Sequence, residues 1–240
     1  MKTFMNWSGG KDSALSLFLA MQQGMQVDAL LTSVNTATNR ISMHGVRREL
    51  LLQQAASIGL PLHTIELPEM PGMLVYEEAV RAKHNELKAA GYTHAMFGDM
   101  FLEDLKTYRE NLLAKDDLQG LFPIWKMDSR EVVRQFIEAG FKAVVVCVNS
   151  TYLDENFCGR LLDESFLNHL PAGVDACGEN GEYHTFVFDG PLFSSPVNFT
   201  KGETVFKAYP APATADSDEC FTAPKREAGF YFLDLLPTVS

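Results

Sequence analysis

Six consecutive residues near the start of the chain, Ser8-Gly9-Gly10-Lys11-Asp12-Ser13, combine the groups needed to hold a phosphate. Two glycines allow a tight turn and bring the backbone close to an anion with no Cβ in the way. A helix opening at this point would add outward-facing amides and a dipole that favours negative charge. Lys11 supplies a point charge, and the hydroxyls of Ser8 and Ser13 supply donors. Asp12 would repel a phosphate, so a bridging Mg²⁺ or a structural role suits it better. The second dense cluster is Gly178-Glu179-Asn180-Gly181-Glu182-Tyr183-His184-Thr185-Phe186. Its glycines make a tight turn that leads into an apolar run. If the chain is extended from Glu182, then Glu182 and His184 share one face, and Tyr183 and Thr185 the other. A carboxylate beside an imidazole can hold Mg²⁺, orient ammonia or move a proton from an attacking amine. The plainer reading is a polar hairpin rim without chemistry.

These groups need a scaffold, and the first half of the chain predicts one. Residues 3–7, 29–34, 62–67, 94–97 and 121–125 read as strands. Residues 11–23, 46–58 and 76–90 read as helices that stop at Gly24, Gly59 and Gly91. Leu51, Ala55 and Ile58 mark the inner face of the second helix; Tyr76, Val80 and Leu87 mark that of the third. Strands alternating with helices of this length predict an α/β fold: a parallel five-stranded sheet with helices on both faces. Asp128, with Glu131 three residues on, marks another helix start, with Val132, Val133, Phe136 and Ile137 as its buried stripe. Residues 142–148 form a continuous apolar strand. From Gly173 the sequence turns to Gly, Pro and short β-like runs such as 183–188. A boundary near Met127 therefore divides a nucleotide-binding domain, residues 1–127, from a smaller α+β domain, residues 128–240.

Composition bounds the function. Hydrophobic residues make up 46% of the 240 and charged residues 21%, which suits a soluble globular chain with a sizeable core. The formal net charge is −11, and the acidic excess falls mostly after residue 128, where 8 basic side chains face 16 acidic ones. That argues against nucleic acid as a partner, since phosphate backbones need clustered cations. No apolar run approaches membrane-spanning length, and the start is too short for a signal peptide, so a cytoplasmic location is expected. Cys147, Cys158, Cys177 and Cys220 are scattered, without metal-ligand spacing or a disulfide framework.

The glycine loop is not a Walker loop, because Met5 stands where the first glycine would be and Asp12 replaces the Ser/Thr. It resembles instead the S-G-G-x-D-S loop of PP-loop ATP pyrophosphatases, which implies ATP cleaved to AMP and pyrophosphate through an adenylated intermediate. Further motifs follow in order: Gly98-Asp99; Gly159 and Arg160 with Asp163; the Gly178 cluster; and Asp189-Gly190-Pro191-Leu192-Phe193. Together, over roughly residues 3–206, they resemble the diphthine–ammonia ligase family of N-type PP-loop ATPases. The wording around Met43-His44-Gly45, and Cys177 ahead of Asn180, Tyr183 and His184, is similar to the bacterial branch. The resemblance implies an ATP-dependent, Mg²⁺-using ligase that adenylates a carboxylate and amidates it with ammonia. In the bacterial branch the acceptor is expected to be a small molecule other than diphthine. It further implies that Ser8, Gly9, Gly10, Lys11, Asp12, Ser13 and Gly98 hold the nucleotide, with Asp12 on the metal. Glu179, Glu182, His184 and Asp99 are then the catalytic set. With no glutaminase domain and no cysteine at position 2, ammonia would be free or brought by a partner. A homodimer fits such a family. The rival expectations are a PP-loop tRNA-modifying enzyme, against which the acidic second half argues, and a regulator that binds ATP or AMP without turnover.

Other residues invite less. His84 lies between Val80 and Leu87 on one helical face and reads as packed. His63, His94 and His169 have no partner at useful spacing. Glu103, Asp104 and Arg109 either line the cleft or form a solvated helix face. Arg160 and Asp163 read equally as a surface pair, and nothing cationic adjoins Cys177 to activate it.

Overall fold

The structure, a computed structural model, describes residues 1–41, 44–209 and 228–238. Met43 and Cys220 lie outside the described residues. In chain order the first unit contains β1 (Thr3–Asn6), α1 (Lys11–Gln22), β2 (Ala29–Asn35), the two-residue β3 (Arg40–Ile41) and α2 (Arg48–Ile58). It continues through β4 (Leu62–Leu67), α3 (Met73–Ala89), β5 (His94–Met96), α4 (Glu103–Lys115) and β6 (Gln119–Leu121). The parallel strands run β4-β2-β1-β5-β6, and β3 lies antiparallel beside the last two residues of β2. Because neighbouring side chains on a strand point to opposite faces, Phe4, Ala29, Leu31 and Ala95 pack against Val80 and Leu87 of α3 and Leu112 and Leu113 of α4. Met5, Leu30 and Met96 pack on the other side, against α1 and α2. The sheet is thus wound both ways from β1. The crevice where the winding reverses opens beyond the carboxyl ends of β1 and β5, the place where such sheets bind ligands.

The second unit holds α5 (Ser129–Glu138), β7 (Lys142–Asn149), α6 (Glu164–His169), β8 (Tyr183–Asp189), β9 (Phe199–Tyr209) and β10 (Ala228–Pro237). The side chain of Asp128 accepts from the amides of Arg130 and Glu131 and so caps α5. The sheet is antiparallel throughout, in the order β8-β7-β10-β9. One apolar cluster runs without a break from α1 and α2 into α5, β7 and β8. Phe18 of α1 meets Phe141 edge-on at 5.5 Å, and Phe136 stacks on Phe141 at 4.9 Å. No helix among the described residues is long and apolar enough to cross a membrane.

One expected strand is displaced. Residues 121–125 do not extend as a strand; β6 ends at Leu121, and Trp125 closes a turn back to the carbonyl of Phe122. Pro123 has no amide for a ladder, and Ile124 is buried within the turn, so the apolar run packs without being extended.

A second tie joins the two units. Asp234 sits at an irregularity in β10 and receives Arg40 at 2.8 Å and Arg47 at 2.7 Å, and these guanidiniums hold its carboxyl down at about 2. The depressed value means that the pair stabilises the fold above the ordinary carboxylate range and loses this effect as pH falls toward 2. Asp234→Asn is expected to cost about 1–2 kcal/mol at pH 7. The melting temperature should fall by roughly 3–6 °C, with the gap to wild type closing in acid. Equal melting curves at pH 7 would refute the tie.

Candidate active site

The phosphate-type loop lies where the sequence places it, between the end of β1 and the first turn of α1. Gly9 takes a left-handed φ of 77°, and its backbone backs onto Gln54. The helix starts without a side-chain cap. Within the loop, Ser8 Oγ accepts from the Gly10 amide at 3.2 Å and meets Ser13 Oγ at 3.1 Å. Beside it runs β8 of the second unit. The Lys11 amide donates to Thr185 Oγ1 at 3.0 Å, and the Val187 amide donates to the Gly9 carbonyl at 2.9 Å. The loop is therefore shared between the two sheets.

Gln54 ties this arrangement together, and the sequence reading missed it. Its Oε1 accepts from Trp7 Nε1 at 2.9 Å, and its Nε2 donates to the carbonyls of Gly9 and Val187. The available signal was a polar side chain on the stripe of α2 that also carries Leu50, Leu51 and Ala55, all buried.

A cavity of about 620 Å³ opens in the crevice, and its lining includes Ser8, Lys11, Asp12 and Ser13 together with Gly98, Asp99, Glu179 and His184. Part of its lining is apolar, with Leu31, Ile65, Leu67, Val80 and Phe97. Gly98 touches the α1 backbone: a Cβ built there would lie 2.8 Å from the carbonyl carbon of Asp12. Gly9 and Gly10 shape the turn from behind and do not themselves line the cavity.

Lys11 is turned toward the second unit rather than into open space. Its ammonium donates to Asp12 Oδ2 at 2.8 Å and to the Cys177 carbonyl, and lies 5.1 Å from the centre of the Tyr183 ring. Burial opposes its charge, but Asp12, Tyr183 and Cys177 outweigh this and hold it above the ordinary lysine range. The other oxygen of Asp12, Oδ1, is buried without a hydrogen-bond partner. That oxygen fits a cation which takes its remaining ligands from phosphates and water, as Mg²⁺ does. Among the described residues no group of three His, Cys, Asp or Glu side chains is arranged to hold a metal.

Asp99 is ion-paired with Arg109, Nε to Oδ2 at 2.5 Å, and Arg109 Nη2 donates to Oδ1 at 3.1 Å, with the guanidinium 4.5 Å from the centre of the Phe97 ring. Burial raises the Asp99 carboxyl, and Arg109 opposes the rise. Glu179 reaches across the crevice from the glycine-rich turn, its Oε1 accepting from the Met100 amide at 3.1 Å. Burial pushes its carboxyl up to about 7; the Met100 amide opposes this, and the charge of Asp12 reinforces it.

Glu182 does not share a cavity face with His184 as expected. It is buried, 1% exposed, and its carboxylate accepts from the amides of Asp175 and Asn180 and from Asn180 Nδ2. The chain is still turning at this point, and β8 begins only at Tyr183, so the alternation assumed from Glu182 onward has not yet started. The carboxylate clamps the turn that carries Glu179. Glu182→Gln is expected to lower stability by about 1–3 kcal/mol, since a buried amide donor loses its acceptor. Nucleotide affinity should change little. A variant with wild-type melting and no turnover would show the catalytic role expected of Glu182.

Of the remaining candidates, Cys177 and His84 also border the cavity, while Arg160 and Asp163 do not. Cys177 is buried, its thiol faces the Ser129 carbonyl at 3.2 Å, and burial raises its pKa. Asp163 caps α6 by accepting from the Phe166 amide, and Arg160 lies over the rings of Phe157 and Phe166. His84 is buried and paired with Asp116 at 3.0 Å.

Comparison with known proteins gives the chain a family. Residues 1–119 match the family description "Diphthamide synthase N-terminal domain", and residues 128–210 match "Diphthamide synthase C-terminal domain". A human protein named diphthine–ammonia ligase is 28% identical over 227 residues, covering 85% of each chain. A cattle protein of the same name is 28% identical over 221 residues, covering 82% of each. A fission-yeast protein of that name is 24% identical over 222 residues, which are 36% of its length. Among solved structures, a predicted subunit of tRNA methyltransferase from Methanocaldococcus jannaschii superposes with a TM-score of 0.42 at 20% identity, covering 61% of this chain and 80% of that one. With both domain descriptions matched over most of its length, the chain belongs to the diphthamide synthase family of ligases.

Proposed function

We propose that this protein joins ammonia to a carboxylate at the expense of ATP, releasing AMP and pyrophosphate. The observation that carries the reading is the loop Ser8–Ser13 at the reversal point of the sheet, with Glu179 lining the same cavity. The β- and γ-phosphates of the substrate ATP lie at the loop, bonded by Ser8, Ser13 and the free amides at the start of α1. Mg²⁺ on Asp12 would offset their charge. The acceptor carboxylate attacks the α-phosphorus, pyrophosphate leaves, and ammonia then displaces AMP from the acyl-adenylate. Glu179 takes the proton that the attacking nitrogen must lose, its raised carboxyl being matched to that task. Asp99, fixed by Arg109, holds the cavity wall beside Asp12. The acceptor is a small carboxylate, and residues 1–127 serve the nucleotide while residues 128–240 serve the acceptor side.

Phosphorus NMR with Mg-ATP and ammonium tests this. A small-metabolite extract, a tRNA pool and a protein fraction are added in turn. AMP and pyrophosphate formed only with the metabolite extract support the reading. Stimulation by tRNA alone, or no turnover in any fraction, overturns it.

A further inference from the structure

Two histidines from distant parts of the sequence meet beside the phosphate loop, and both line the cavity. His44 follows β3, and His184 lies on β8; their ring centroids are 4.6 Å apart with planes tilted by 31°. His44 Nδ1 faces the Thr185 carbonyl at 3.2 Å. A carbonyl only accepts, so Nδ1 carries the hydrogen, and the neutral ring keeps Nε2 as its proton-accepting atom. His184 Nε2 is buried with no hydrogen-bond partner. A Cβ on Gly10 would lie 3.0 Å from His44 Cε1, so the pair stands directly against the loop.

The surroundings explain why two imidazoles can stack here. Burial lowers both rings, His44 to about 4 and His184 well below the ordinary imidazole range, and the ammonium of Lys11 lowers each again. The groups facing the pair are Lys11 from α1, the Thr185 carbonyl from β8 and each other's rings; Asp12 stands beside Lys11, and Glu179 lines the same cavity. Without an anion the site therefore holds the pair neutral. Two loop amides are already spent inside the protein, Gly10 on Ser8 and Lys11 on Thr185, and the Lys11 ammonium is spent on Asp12 and Cys177. Several negative charges arriving at the loop meet fewer donors than the motif suggests, and they favour the protonated form of any imidazole beside them.

We propose that His44 and His184 form a proton-taking subsite of the phosphate loop, so that a bound polyphosphate is held together with one proton on the pair. This rests on the reading of the loop as a nucleotide site. The imidazolium so formed donates toward the phosphates, and is placed to return its proton to the pyrophosphate that departs.

The test is calorimetry of the full chain with the magnesium complex of α,β-methylene-ATP, in buffers of different ionisation enthalpy, from pH 6 to 8. Wild-type protein is expected to take up a proton on binding and to bind more tightly as pH falls, approaching about tenfold per pH unit where uptake is complete. His44→Gln and His184→Gln, each checked by melting, should bind with little uptake and a flat pH profile. Protons carried by the analogue are common to all variants and cancel. Glu179→Gln removes the other group of this cavity that titrates in the same range, so the uptake that remains in it belongs to the pair. Ring-nitrogen NMR of the wild type should show imidazolium only with ligand present. Uptake unchanged in both histidine variants, or neutral rings in the complex, overturns the proposal alone. No binding to wild type at any pH overturns the nucleotide reading with it.

Discussion

Gly98→Ala is expected to weaken binding of magnesium α,β-methylene-ATP and to cut AMP formation by about 10²-fold or more. Gly98 ends the β5 side of the crevice. An added methyl would stand 2.8 Å from Asp12 C, 2.9 Å from Ser13 N and 3.0 Å from Asp12 O. All three are backbone atoms of the first turn of α1, so no rotamer change relieves the clash. Either α1 slides away from β5, taking the loop amides with it, or β5 gives way and shifts Asp99. Both move phosphate-binding atoms by a fraction of an ångström to an ångström. Overpacking of this kind costs roughly 1–3 kcal/mol of stability as well, so the melting curve must accompany the binding curve. Gly72→Ala is the control, since nothing lies within 4 Å of a Cβ there. It should retain both affinity and turnover. Normal affinity in Gly98→Ala would mean that the nucleotide does not depend on this packing.

How far the sequence determines the site depends on whether the information is local. The loop at Ser8–Ser13 needs only glycines, a strand before it and a helix after it, and all are visible in a dozen residues. The parallel strands are legible because their cores are continuous apolar runs such as 29–34 and 62–67. α4 was legible only as one alternative, a solvated helix face at Glu103, Asp104 and Arg109: its 13 residues bury only Leu112 and Leu113, too few for a helical period to show. β3 is two residues long, and β9 with β10 are partners separated in sequence, so their pairing has no local signature. The same holds inside the site. Glu182 and Glu179 are three residues apart and equally acidic, yet one is consumed by three hydrogen bonds within its own turn while the other reaches Met100 across the crevice. That difference depends on where the turn ends and β8 begins. Gln54, His44 and Arg109 act through contacts 45 to 141 residues away or across a helix–strand junction, so motif spacing could not assign them.

Glu179→Gln is expected to reduce amide formation by about 10²–10⁴-fold while leaving nucleotide binding in place. The glutamine Oε1 can still accept from the Met100 amide, so the turn keeps its anchor; what is lost is the ability to take a proton. In the wild type the rate should rise with pH through about 7 and then level, because the carboxyl is pushed up to about 7 by burial and by the charge of Asp12. The same shift predicts the sign of the stability change. Below the unfolded glutamate value, about 4.3, the group is neutral in both states and has no effect. As pH rises from there to about 7, the unfolded chain ionises freely while the folded site resists, so stability is lost progressively and stays lost above that range. The glutamine variant escapes this loss. It should melt at the wild-type temperature near pH 4 and roughly 2–4 °C higher at pH 8. A purely structural glutamate behaves differently: its removal lowers activity and stability together at pH 8. Opposite movement of the two readouts is the signature of a buried carboxyl kept at a thermodynamic cost for its chemistry, and parallel movement would remove Glu179 from the mechanism.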